Sequence, residues 1–177
     1  MNAFDKEIQN RNFLSPTGFK FNLARTPKVS FFANSANIPG INLGAAVQPT
    51  YLKDVFLPGD KLTYDDFSLK FIVDENLENY REIHNWMRGL GYPDSISEYD
   101  QWKLSDDKNQ SDPNVSDGTL MVFGSSYNQN IWIKFQGLWP TSLSTIDFDA
   151  TDTDVQYVTA VATFKYLIYD IVSYEPG

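Results

Sequence analysis

Phe67, Leu69, Phe71 and Val73 alternate with Ser68, Lys70 and Ile72, and a few residues later the apolar positions begin to recur every three to four residues. That change of period specifies a strand with one buried face feeding an amphipathic helix. Upstream, Pro58-Gly59-Asp60 reads as a turn and Asp65-Asp66 as the polar lead into the strand. Downstream, Asp74 or Asn76 is placed to cap the helix. Glu75, Glu78 and Glu82 occupy its first turns and Arg88 its last, so the side-chain charges oppose the helix dipole at both ends. Leu77, Tyr80, Ile83, Trp86, Met87 and Leu90 share its apolar face, and Gly89 and Gly91 offer a left-handed exit. This is the one convincing helical pattern, and the fold expected is mainly β with one α-helix.

The remaining order comes from short alternating runs. Aromatic residues make up 15% of the chain, as 13 Phe, 10 Tyr and 4 Trp, which favours pleated structure over a helical bundle. Phe19, Phe21 and Leu23 alternate with Lys20 and Asn22, and Val29 to Ala33 continues as a second strand after an Arg25-Thr26-Pro27 turn, giving a candidate hairpin. Asn37 to Gly44 reads as a loop, and Tyr51 to Leu57 resumes an extended run after Pro49. Leu120–Phe123 and a strand with Ile131, Ile133 and Phe135 on its buried face form a second hairpin across Gly124–Asn130. Gly137 and Pro140 bracket Leu138-Trp139. Val155 to Tyr169 contains no Gly or Pro. As one strand it would reach ~50 Å at ~3.3 Å per residue, more than a usual strand. Either it bends to serve two sheets or part of it pairs with another chain. One of its faces carries Val158, Ala160, Ala162, Phe164, Tyr166 and Ile168.

The inventory for chemistry is thin. There is no cysteine, so disulfides, cysteine zinc sites and thiol catalysis are excluded together. His84 is the only histidine, too few for a Ser-His-Asp triad or a two-His metal site within one subunit. Asp147, Asp149, Asp152 and Asp154 lack the spacing and central Gly of a calcium loop and read as an acidic hairpin loop. Asp65 and Asp66, as neighbours on a strand, point to opposite faces and cannot act as a glycosidase pair. Gly40 and Gly44 lack the Lys-Ser/Thr of a phosphate loop. Trp86, Trp102, Trp132 and Trp139 are assigned to the core by default. No enzyme, metal or cofactor is expected.

At 177 residues the chain suits one domain, 1–177, with a genuine core. Its net charge of −9 argues against gripping nucleic acid, though not against DNA sliding past. No apolar run approaches the ~20 residues of a membrane span, and Met1–Arg11 lacks the apolar core of a signal peptide. Residues 1–16 are either a frayed terminus or an arm docking on a neighbouring subunit through Phe4, Ile8 and Phe13. Lys6 and Arg11 help to make this end basic in an acidic protein. Pro93 to Gly118 holds Asp94, Glu98, Asp100, Asp106, Asp107, Asp112 and Asp117 against Lys103 and Lys108, and reads as an acidic surface loop. Ile96, Tyr99, Trp102 and Leu104 leave open an interface role for it.

The PGD turn, the DDF lead-in, the strand SLKFIVDE and the helix NYREIHNWM, taken in this order, resemble the tube-forming proteins of contractile phage tails: the T4-like tail tube family and its relatives at the baseplate end. GFKFNL and NIPGINLG before them, and LWPTSLSTIDFDATDTDVQYVTAVATFKY from Leu138 to Tyr166 after them, extend the similarity over about two-thirds of the chain. The last reads as an aromatic-Pro-Thr turn, a short strand, an acidic loop and a long final strand.

The resemblance implies a tail-tube fold, an antiparallel β-sandwich or barrel whose long hairpins join between subunits into a hexameric ring. It implies a structural virion protein, assembled in the host cytoplasm, whose stacked rings make a channel for genome passage. The tail sheath and baseplate or terminator proteins are its partners, and DNA is only a passing occupant. The hairpin within Ile38–Leu57 then reaches the next subunit, with Ile38, Ile41, Leu43, Val47, Tyr51 and Val55 as contact candidates. Lys6 and Arg11 would face Asp147, Asp149, Asp152 and Asp154 between stacked rings. A repeating tube subunit or baseplate-junction ring is the first reading. A tail completion (terminator) ring is the alternative, as is a monomeric β-sandwich binding carbohydrate through Tyr99, Trp102 and Tyr127.

Overall fold

The computed structural model describes residues 14, 16–91, 93–95, 97, 100, 114–124, 129–148 and 157–173. Two helices and nine strands are assigned among them: β1 (Phe19–Leu23), α1 (Pro27–Phe31), β2 (Ala33–Ala36), β3 (Ile41–Gln48), β4 (Val55–Tyr64), β5 (Phe67–Ile72), α2 (Glu78–Gly91), β6 (Ser116–Phe123), β7 (Gln129–Leu143), β8 (Thr159–Lys165) and β9 (Ile168–Ser173).

All pairings are antiparallel. Seven strands form one sheet in the order β1-β6-β7-β8-β5-β2, with β9 attached to β7; β3 and β4 form a separate two-stranded sheet. The large sheet curls on itself. Phe21 of β1 and Phe67 of β5 lie far apart in strand order, yet their ring centroids are 5.0 Å apart, and Phe67 is 4.7 Å from Phe135 of β7. The core between the two halves takes the inward residues of five strands: Phe21 and Leu23, Phe67, Leu69 and Phe71, Leu120 and Val122, Ile133, Phe135 and Leu138, and Ala160, Ala162 and Phe164. Ile83 and Trp86 of α2 and Val29 of α1 complete it.

The corner of the curl is made by β7. Its first part, Ile131–Gln136, pairs with β9, and its last part, Trp139–Leu143, pairs with β8. Between them Gly137 adopts φ +65°, and a Cβ there would meet Leu167 Cδ1 at 2.9 Å. A left-handed backbone and a neighbour lying directly over the Cα both call for glycine. The long final run bends within its own chain. Tyr166 and Leu167 break the extended segment into β8 and β9, which continue along the same partner strand.

Several local expectations are corrected. Val29–Ala33 is not the second strand of a hairpin. Pro27 opens α1, a position that needs no N–H donor, and the Ser30 amide donates to the Thr26 carbonyl. β1 therefore pairs with β6 and β2 with β5. The second helix starts at Glu78 and not at the proposed caps, since Leu77 has φ +56° and lies outside it. The link from β5 is held by buried Asn79: its Oδ1 accepts from the Asp74 amide at 3.2 Å and its Nδ2 donates to the Ile72 carbonyl at 2.8 Å. Gly89 and Gly91 lie within α2 and make no left-handed exit. Ser116–Gly118 belongs to β6 and not to the acidic loop, the rest of which is mostly outside the described residues. The Leu138–Thr141 segment is not a turn either. β7 runs through it, and its register shifts between Pro140 and Ser142, where proline lacks a ladder donor.

Candidate subunit interface

The β3–β4 hairpin stands out from the body. Beyond each other, its strands share no extensive contact with any other described element. Asn37 to Gly44 is thus only partly a loop, since β3 begins at Ile41, and Pro58-Gly59-Asp60 is not a turn but part of β4. Opposite Gly44 the register slips from Leu43↔Leu62 to Ala45↔Pro58, so β4 carries extra residues at a bulge. A Cβ on Gly59 would run into the carbonyl of Gly44, so glycine lets the two backbones close at this crease.

Cross-strand partners share a face. In the inner half, Ile41 with Tyr64 and Leu43 with Leu62 form an apolar face, and Asn42 with Thr63 a polar one. Beyond the crease both faces are largely apolar, with Val47 opposite Phe56 on one and Ala46 opposite Leu57 on the other. Phe56 is 72% exposed, and Ile41, Leu43, Val47, Leu57 and Leu62 are exposed as well. At the tip Tyr51 and Leu52 stand almost wholly in solvent, on a turn held by Thr50, whose hydroxyl donates to the Lys53 carbonyl. An isolated two-stranded hairpin is marginal in water, and one apolar on both faces calls for a partner.

The root of the hairpin is rigidly tied. Tyr166 donates to the Asp65 carbonyl at 2.9 Å and Tyr169 to the Pro39 carbonyl at 3.0 Å. The rings of Tyr64, Tyr166 and Tyr169 lie 5.7–5.9 Å apart, and Phe135 meets Tyr166 edge-on at 5.2 Å. Burial, with the adjacent Tyr169 and Asp65 adding to it, pushes the Tyr166 phenol up to about 12. Asp65 accepts from Asn42 Nδ2 at 3.3 Å, and Asp66 pairs with Lys165 at 3.3 Å. These two carboxylates are structural ties.

A second unfinished surface lies at β9, which pairs only with β7 among the described strands. Ile171 stands opposite fully buried Ile133 and so points to the core side, yet it is 60% exposed. Leu167, Ile168 and Val172 around it are exposed too. The core layer ends here without a cover from any described residue of its own chain.

Of the sequence candidates, the structure gathers Ile41, Leu43, Val47 and Val55 in the hairpin, with Ile38 just ahead of it and Tyr51 at its tip. Val55 is half-buried and the others exposed. Phe4, Lys6, Ile8, Arg11, Phe13, Asp149, Asp152 and Asp154 lie outside the described residues, as do Tyr99, Trp102 and Tyr127; Asp147 is exposed. Sequence reasoning missed Phe56, Leu57 and Leu62 as contacts, because Pro58-Gly59-Asp60 carries a turn signal in the middle of what is one strand. It also missed the β9 edge: of the face that carries Val158, Ala160, Ala162, Phe164, Tyr166 and Ile168, the two end residues Val158 and Ile168 are exposed. Asp170 and Ser173, which interrupt the apolar run, were the available signal.

Trp86 is core, as expected, but Trp139 is 39% exposed. It borders an open cleft of about 460 Å³ with Met87 and Leu90 at the end of α2, in which no described lining residue is ionisable. His84 is exposed on α2, and no group of three or more potential metal ligands is found among the described residues. No helix among them is long and apolar enough to cross a membrane.

The profile of the family described as phage tail tube protein matches residues 2–172. The tail tube terminator protein of Enterobacteria phage T4 is 25% identical over 167 residues, covering 90% of this chain and 89% of that protein. Among solved structures, a chain of the anti-feeding prophage tube-terminating cap superposes with a TM-score of 0.61 at 16% identity, over 98% of this chain and 100% of that one. A chain of the sheath-tube complex of an extracellular contractile injection system, PVC, superposes with a TM-score of 0.58 at 15% identity, over 98% and 99%. The fold is that of contractile-tail tube proteins, and the chain belongs to the phage tail tube protein family.

Proposed function

We propose that this chain is a ring-forming structural subunit at the end of a contractile tail tube, a terminator-like protein. The observation that carries the reading is its similarity to the T4 tail tube terminator across nearly the whole of both chains. The sequence motifs alone put a repeating tube subunit or baseplate-junction ring first; the T4 relative favours the terminator alternative over both. The apolar hairpin supports ring formation of any kind, because its faces need a cover that the described residues do not provide. The carbohydrate-binding alternative has no such support, since its three aromatic residues lie outside the described ones.

In this reading the hairpin residues Ile38, Ile41, Leu43, Val47, Tyr51 and Val55, together with Phe4, Ile8 and Phe13 of the arm, make contacts between copies of a hexameric ring. Lys6 and Arg11 meet the acids from Asp147 to Asp154 where rings stack. Tail sheath and tube proteins are the neighbours, the acidic balance lets DNA pass without sticking, and the task is not catalytic.

Electron microscopy and native mass spectrometry of the purified protein test this. Discrete closed rings that do not elongate are expected. Indefinite filaments would identify a repeating tube subunit instead, and a 20.2 kDa monomer at every concentration would overturn the ring altogether.

A further inference from the structure

We infer that the hairpin of one copy docks on the open β9 edge of the next copy, with Ile171 at the centre of the acceptor. This inference rests on the ring reading and adds to it the surface that receives the arm.

Three observations point to that occupant. First, among the described strands β9 has one unpaired edge, and it carries a core-side residue, Ile171, that the described part of its own sheet leaves 60% exposed. What completes such an edge is another strand edge carrying apolar side chains. Second, the same chain holds such an element, since among the described strands β3 and β4 pair only with each other and carry Val47, Phe56 and Leu57 into solvent. Its eight-residue β3 and ten-residue β4 are long enough to cover the six residues of β9. Third, the two surfaces are different patches of one molecule. A contact between different patches is head-to-tail, and head-to-tail contacts repeat from copy to copy until they close. A contact of the hairpin with itself would stop at a dimer. Within one copy the hairpin and β9 make no extensive contact, although Tyr169 joins the hairpin's root to the start of β9, so the hairpin does not close that edge in its own chain.

The absence of cysteine gives a clean background for a cross-linking test. Ring-forming protein carrying Val47→Cys with Ile171→Cys, and separately Phe56→Cys with Ile171→Cys, is treated with a short thiol–thiol cross-linker and run on a denaturing gel. The expected result is a ladder of covalent multimers from at least one pair, ending at the size of the ring. Each single variant should give no species beyond a dimer. Lys70→Cys, on the exposed side of β5, replaces Ile171→Cys as the control and should give no ladder. Intact rings by native mass spectrometry with no ladder from either pair would overturn the β9 acceptor while leaving the ring reading standing. So would an equal ladder from the Lys70→Cys control. Loss of rings in the unmodified protein would remove both readings.

Discussion

Phe67 sits where the two halves of the curled sheet meet, with Phe21, Phe135 and Phe164 around its ring at 5.0, 4.7 and 6.1 Å. Phe67→Ala leaves a cavity lined by three aromatic rings that cannot all move in, and a loss of about 3–5 kcal/mol is expected. Denaturant unfolding should show a lower midpoint at unchanged slope; a loss below about 1 kcal/mol would contradict the packing described. The alternation from Phe67 to Val73 made this residue legible, as the helical period did Ile83 and Trp86. Asn79 was not legible, because its burial follows from two backbone groups, at Ile72 and Asp74, that only the folded link brings together. Trp139 was hidden in the same way, since composition favours burying tryptophan and only the shape of the β7 corner leaves it half in solvent.

The hairpin is the element on which the proposed assembly depends. Gly59→Ala puts a methyl group against the Gly44 backbone, so the crease must open and the outer half of the arm be redirected. The core is remote from this point, and unfolding of the body should change by less than about 1 kcal/mol while ring formation is lost. Phe56→Asp tests the same arm through chemistry instead of geometry. A charge on an already exposed position costs the monomer within about 0.5 kcal/mol, but it must be desolvated at a covered interface. Native mass spectrometry should show monomers in place of rings; undisturbed rings would place Phe56 outside the interface. An extended hairpin here was implied by family resemblance, whereas the residues alone gave two Gly/Pro-rich bends. Pro58-Gly59-Asp60 has turn chemistry that serves equally well for a bulge, and local sequence does not distinguish them. Pro27 posed the same ambiguity and proved to begin a helix.

At the scale of the molecule, ionisation links the arm to the body and α1 to α2. Lys28 and Glu78 are joined at 2.6 Å. Their hydrogen bond raises the lysine above its ordinary value and holds the carboxyl below its own. The glutamate's contribution is present above its ordinary 4.5 and is lost as pH falls through its lower folded value. The lysine's is present below 10.5 and is lost as pH rises through its higher folded value. Burial raises Glu82, which works the other way and favours the fold in acid. Tyr166 governs the alkaline side. Its contribution is complete below its ordinary 10.0 and is lost as pH rises through about 12. Tyrosinate absorbance should therefore contain a late-titrating component that disappears in Tyr166→Phe. The same curve in the variant would mean that the phenol is not held as described.

The tyrosine cluster has a consequence for stoichiometry. Tyr166 and Tyr169 clasp the carbonyls on either side of the arm, and Tyr169 belongs to the strand whose free edge is the proposed receiving surface. What each protomer extends and what it receives are therefore set at one bearing to each other. In the proposed ring that bearing is the turn from one protomer to the next, and the tilt of a few phenol rings sets how many members close it.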